Sequence, residues 1–344
     1  MRITNCPFAN YELSLTPFAP LIGQNQAVEL LTSAVKQNRI APAYLFAGSS
    51  GVGRRLAAAC FSELLLTQNA PAQQHPLIQK RLHSGNHPDL LWLQPTYFYQ
   101  GKLITAHEAV AAGITRKAPP QVRIEQVREI AEFLANPPLE ASRSVVVIEE
   151  TQTMAEAAAN ALLKTLEAPQ KATLILIAPG TDSLLPTLVS RCQRIPFYRL
   201  GQQQMKQVLQ QTGHEAILDD QAVLAIAQGS PGDAIFSQAQ LQTISGELRQ
   251  KLIQFPKLAL TEAEHLPQAS ALKLATEVAQ NLDTPTQLWL VDYLQHHYWQ
   301  QFLKDEIPHS PLQKLEETRQ ALLSYAQPRL VWEVILLSLC QTKH

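Results

Sequence analysis

The chain is predicted to fold as an α/β domain on an open, mostly parallel sheet, followed by a small helical unit and an all-α C-terminal domain. Three observations predict this. Short apolar runs alternate with helical patterns through the first 200 residues, the order expected of strands joined by crossover helices. The stretch Gly48-Ser49-Ser50-Gly51-Val52-Gly53-Arg54-Arg55 has the glycine spacing of a phosphate-binding P-loop and sits between a strand-like and a helix-forming run. After about residue 198 the strand signals vanish, and a glutamine- and leucine-rich sequence with helical periodicity runs to the end.

The strand candidates, in order, are Tyr44–Ala47, Leu90–Leu93, Val145–Ile148, Thr173–Ala178 and Ile195–Phe197. Each is a short apolar run of the kind that a sheet covered on both faces requires. Helices are expected over Leu56–Leu66, which follows the glycine loop, and over Ile124–Leu134. Met154, Ala158, Ala161, Leu162, Thr165 and Leu166 recur at helical spacing, and Pro169 follows as a stop. The segment from Pro95 to Pro120 is less regular and is expected to be a surface excursion, its Tyr97-Phe98-Tyr99 cluster anchoring the loop to its own domain. In the helical half, a break near Gly229-Ser230-Pro231-Gly232 is expected to close one unit. A second unit, containing Leu272–Leu282 and Leu288–Phe302, is expected to begin between residues 240 and 250.

With 344 residues the chain suggests two or three domains and ample sequence for a buried core. A net charge of -1 does not advertise a polyanion as the main partner, so any DNA contact should be local or shared with other subunits. The four cysteines, Cys6, Cys60, Cys192 and Cys340, lack CxxC spacing. That argues against a disulfide framework or metal cluster and for a reducing cytoplasm. No apolar run approaches the length of a membrane span, and no secretion signal is expected.

In a working P-loop, backbone amides and the helix N-terminus cradle the phosphates, a lysine bridges the outer two, and a serine or threonine hydroxyl holds magnesium. Here Arg54 stands in the lysine position and Arg55 in the hydroxyl position. The planar fork of Arg54 cannot replace a compact ammonium in so tight a turn, and Arg55 has no oxygen to offer a metal. The strand Val145–Ile148 ends in Glu149 and Glu150, where a P-loop ATPase keeps its magnesium-holding and water-polarising acids.

Beyond those acids come Asn160-Ala161-Leu162-Leu163-Lys164-Thr165-Leu166-Glu167-Ala168-Pro169, an apolar strand, and Leu188-Val189-Ser190-Arg191-Cys192. Upstream lie Leu21-Ile22-Gly23-Gln24, the run from Arg39 to Phe46, and His87-Pro88-Asp89-Leu90. In this order, over roughly residues 20 to 235, these motifs resemble the AAA+ clamp-loader subunits of bacterial replicative polymerases. The resemblance implies an AAA+ domain over 1–197, a helical lid over 198–243 and an oligomerising collar over 244–344. It also implies that the arginine of the SRC triplet, Arg191, reaches across a subunit boundary to ATP held by a neighbour. Ser190 and Cys192 are expected to cap and pack.

The departures from the family place the chain with its stator type, which often does not hydrolyse ATP. Its motors keep lysine and threonine in the loop, and an arginine where Gly232 stands in Gly229-Ser230-Pro231-Gly232-Asp233. Glu149 replaces the usual aspartate, a longer side chain in a site that needs tight magnesium geometry. The family often carries a four-cysteine zinc knuckle after the P-loop helix. Its places fall near Thr67, Gln73, Pro76 and Gln79, so no metal is expected, His75 and His83 supply too few ligands, and Cys60 is expected to be a small core residue. ATP binding is expected to be weak or absent. The implied partners are gamma/tau-type motor subunits, a delta subunit, and, through the assembly, the sliding clamp and primed DNA. The alternatives are an ATP-hydrolysing motor subunit and an AAA-like scaffold outside replication.

Overall fold

A computed structural model of the protein describes residues 17–114, 118–167, 171–261, 266–324 and 326–341. The expected stop at Pro169 and the thiol of Cys6 lie outside them. The chain divides into two compact units, one ending at Val208 and one beginning at Leu209.

The first unit is built on β1 (Ala43–Ala47), β2 (Leu90–Leu93), β5 (Ser144–Ile148), β6 (Ala172–Ala178) and β7 (Gln193–Pro196). They form one parallel sheet in the order β2-β5-β6-β1-β7. The side-chain period of two splits the strands' apolar residues between two cores. Tyr44, Phe46, Val145, Val147, Ile175 and Ile177 face one core, with α1 (Asn25–Lys36), α2 (Arg54–Thr67) and α3 (His75–His83) packed there through Leu31, Phe61 and Leu82. Leu45, Val146, Ile148, Leu174 and Leu176 face the other, with α5 (Ile124–Ala135), α6 (Glu156–Glu167) and α7 (Pro186–Val189) contributing Ile130, Leu162 and Leu188. All five expected strands are present, the last one shifted two residues towards the N-terminus at its start.

One expectation needs correction. The Pro95 to Pro120 segment holds an antiparallel hairpin of β3 (Thr96–Tyr99) and β4 (Lys102–Thr105), then α4 (Ala106–Ala111). Its two-residue turn, Gln100-Gly101, has φ of 47° and 79°, the left-handed pair that matches strand twist in tight hairpins. Within the aromatic cluster Phe98 is 56% exposed, while Tyr97 and Tyr99 are half-buried. Thr96 ties the segment to its domain: its backbone pairs with that of Gln121 at 2.9 and 3.1 Å and its hydroxyl donates to Gln126 Oε1 at 3.0 Å. The break at Gly229–Gly232 turns the chain between α9 (Gln221–Ala227) and α10 (Pro231–Thr243), which pack together.

The His87-Pro88-Asp89-Leu90 motif is structural. The buried Asp89 carboxylate accepts the backbone amides of Leu139, Glu140 and Ala141 at 2.6, 2.8 and 2.7 Å. Its own carbonyl accepts Val145 N at 2.8 Å, so this one residue fixes the entry to both β2 and β5.

The linking helix α8 (Gln202–Gln211) spans the division between the units. The second unit continues through α9 and α10 into α11 (Gly246–Thr261), α12 (Leu266–Asn281), α13 (Thr284–Leu303), α14 (Ser310–Leu323) and α15 (Pro328–Gln341). Pro256 lies inside α11 and has no amide to give the carbonyl of Leu252. The fully buried Tyr298 on α13 donates its hydroxyl to that carbonyl at 2.7 Å, and Gln301 donates to the neighbouring Ile253 carbonyl at 3.0 Å. Tyr298→Phe should therefore orphan the Leu252 carbonyl and cost about 1–3 kcal/mol, read as a lower urea midpoint with an unchanged slope. Among the described residues no helix is long and apolar enough to cross a membrane.

Candidate functional site

In a parallel sheet the carboxyl ends of the strands open onto the crevice where ligands bind. Here that edge gathers the glycine loop after β1, Gln94 after β2, Glu149 and Glu150 after β5, and Phe197 and Tyr198 after β7. Gly48 is required by close approach, because a Cβ there would meet the Phe197 carbonyl oxygen at 2.5 Å. Gly51 and Gly53 have φ of 68° and 100°, and Gly53 caps the N-terminus of α2. The loop thus keeps the left-handed turns that aim backbone amides inward. Gln24 straps it down, donating to the carbonyls of Val52 at 3.1 Å and Tyr198 at 2.7 Å while accepting Tyr198 N at 3.1 Å.

The arginines behave differently from one another. Arg54 opens α2 and is only 7% exposed, so its side chain lies within the protein. Arg55 reaches towards the strand-end acid, and its Nε pairs with Glu149 Oε1 at 2.9 Å. β1 and β5 are separated by β6, and α2 packs across all three strands, which brings its side chains towards the end of β5. The same Glu149 oxygen accepts Gln94 Nε2 at 3.1 Å and the Trp92 indole N–H. One carboxylate oxygen therefore accepts two N–H groups and lies against a full positive charge. A magnesium ion seeking that oxygen would have to displace the guanidinium. Glu150 turns elsewhere, adopting a left-handed φ of 47°, accepting the Gln152 amide on its carboxylate and taking Thr153 N and Oγ1 on its carbonyl at 2.8 and 2.7 Å. The structure thus joins Arg55 to Glu149 and separates Glu150 from both.

Trp92 and Gln94 were not anticipated from the sequence, and Gln24 was singled out only as part of a motif, without a role. A signal for the first two existed in the end of β2, but it becomes legible only when β2 is known to pair with β5.

Arg191 lies just past α7, which is seated by the buried Leu188. Its Nη1 donates to the Thr187 carbonyl at 3.0 Å and its Nη2 to Glu167 Oε1 at 2.7 Å, with the arginine side chain 38% exposed. Ser190 follows α7 directly and its hydroxyl donates to the same Thr187 carbonyl at 3.1 Å. Burial pushes the Cys192 thiol up to about 11 and the Cys60 thiol up to about 12, so both are protonated packing groups at neutral pH.

Where the family's zinc knuckle would fall, α2 and α3 are joined through ordinary contacts. Gln79 donates to Glu63 at 2.7 Å, and the His75 and His83 rings bond backbone carbonyls at 3.1 and 2.8 Å. No three His, Cys, Asp or Glu side chains converge among the described residues.

A five-stranded parallel sheet with a glycine loop after β1 and acids after β5 defines a P-loop-type α/β domain, here with an ion pair joining the loop's helix to the strand-end acid. The family model for the DNA polymerase III delta subunit matches residues 23–201, and that for the C-terminal domain of cyanobacterial DNA polymerase III delta prime matches residues 203–339. The chain belongs to the DNA polymerase III delta-subunit family.

It is 31% identical over 180 residues to the DNA polymerase III subunit delta' of Bacillus subtilis, covering 52% of this chain and 48% of that one. The delta' subunit of Pseudomonas aeruginosa is also 31% identical, over 199 residues, 56% of this chain and 54% of the relative. The tau subunit of Bacillus subtilis is 27% identical over 187 residues, 54% of this chain and 30% of the relative. The chain spans about half the length of the delta' relatives it matches.

Proposed function

We propose that the chain is the delta-prime, or stator, subunit of a cytoplasmic DNA polymerase III clamp loader, and that it does not hydrolyse ATP itself. It takes its place beside gamma/tau-type motors and a delta subunit in an assembly that places the sliding clamp on primed DNA, and Arg191 completes the ATP site of an adjacent motor. The observation that carries this reading is the Arg55–Glu149 ion pair. It uses up, within the chain, both the position that should supply a hydroxyl to magnesium and the acid that should hold the ion. Two further observations support it: the relatives named delta', and the partial exposure of Arg191 on a short, well-anchored helix end. No zinc and no productively bound ATP are part of this reading.

The test is a comparison of ATP turnover. The purified chain alone should release phosphate at the buffer rate, whereas adding it to motor and delta subunits with clamp and primed DNA should raise hydrolysis well above that of the same mixture without it. Turnover by the chain alone would overturn the stator reading. A mixture indifferent to the chain would overturn its place in the loader.

A further inference from the structure

Glu167 and Arg191 come from two separate motifs, the NALLKTLE helix and the SRC triplet, and nothing in their spacing announces a contact. The fold places the end of α6 against the end of α7, and the two side chains meet there at 2.7 Å. A guanidinium carries five N–H donors. Glu167 takes one on Nη2 and the Thr187 carbonyl takes one on Nη1, which fixes the plane of the fork and leaves three donors for another anion. Both partners are largely exposed, at 38% and 56%, and a pair of this kind contributes little to folding. Its effect falls instead on the freedom of a long side chain that would otherwise sample many rotamers, and fixing such a group in advance lowers the barrier of the step it serves.

We infer that Glu167 is a positioning residue for Arg191, holding its guanidinium at the mouth of the subunit boundary before a neighbour's nucleotide arrives. The inference rests on the trans role given to Arg191 above. Glu167 touches neither nucleotide nor substrate, and it acts only through the arginine.

The experiment uses the reconstituted loader with clamp and primed DNA, carrying Glu167→Gln, Arg191→Ala or both in this subunit, with ATP varied. The expected result is a fall in kcat of about three- to tenfold for Glu167→Gln, with the KM for ATP and the thermal unfolding of the subunit unchanged. In the Arg191→Ala background, Glu167→Gln should cause no further loss. A Glu167→Gln loader as fast as or faster than wild type would overturn the inference, showing the carboxylate to be idle or a restraint. An additional loss in the Arg191→Ala background would also overturn it, since the carboxylate would then act on something else. If Arg191→Ala alone leaves the rate unchanged, the reading of Arg191 itself fails, an outcome distinct from a failure confined to Glu167.

Discussion

Arg191→Ala is expected to lower the clamp- and DNA-stimulated ATP hydrolysis of the reconstituted loader by tenfold or more without loss of assembly. The arginine is partly exposed and its ion pair with Glu167 lies on the surface, so its removal costs the fold less than about 1 kcal/mol. On the role proposed for Arg191, what is lost is a positive charge delivered to a phosphoryl group in transfer, where trans arginines are worth about 10³–10⁵ in rate in well-studied cases. The whole-loader effect is smaller than that range, because only the site adjoining this subunit loses its arginine. Arg191→Lys should recover part of the rate, since the charge is kept while the planar fork is not. An unchanged rate for Arg191→Ala would return the chain to the scaffold alternative. Unchanged complex formation on a sizing column is the accompanying control.

The largest expected loss of stability lies away from any ligand site. Asp89→Ala removes the acceptor for three backbone amides that hold the 139–141 segment ahead of β5. The carboxylate is nearly inaccessible, so the hydrogen bonds are charge-assisted and poorly replaced by water. A loss of about 3–4 kcal/mol is expected, seen as a drop of about 10 °C in the melting of the sheet-containing unit. Asp89→Asn should fall between, since one amide oxygen remains to accept. A change below about 1 kcal/mol for the alanine variant would show that the segment is held by other contacts.

The parts of the fold that could be read from sequence are those in which burial dictates composition. β1, β5 and β6 are covered on both faces and so appear as apolar runs, and α6 shows its stripe because only one face meets the sheet. The β3–β4 hairpin was hidden for the opposite reason. It lies outside the main sheet, its aromatics and Gly101 suggest a loop, and its turn depends on a left-handed Gln100 that composition does not reveal.

The candidate site follows the same logic. Glycine spacing and the strand-end acids are local signals, and they located Gly48, Gly51, Gly53, Arg54, Arg55, Glu149 and Glu150. The pairing of Arg55 with Glu149 depends on strand order, which is not local. Sequence alone showed Arg55 only as a residue that cannot hold a metal, whereas the structure makes it the counter-ion of the acid that would. Likewise, Glu167 belongs to a motif whose helical spacing says nothing of the arginine it meets.

The closed nucleotide site is the centre of this account, and a calorimetric titration of the purified chain with magnesium ATP to millimolar concentration tests it most directly. No binding heat is expected for the wild-type chain, and measurable binding is expected once Arg54→Lys and Arg55→Thr together restore the loop's ligands and free Glu149. Micromolar binding by the wild-type chain would contradict it, showing that the ion pair yields to nucleotide and that the subunit belongs with the motors.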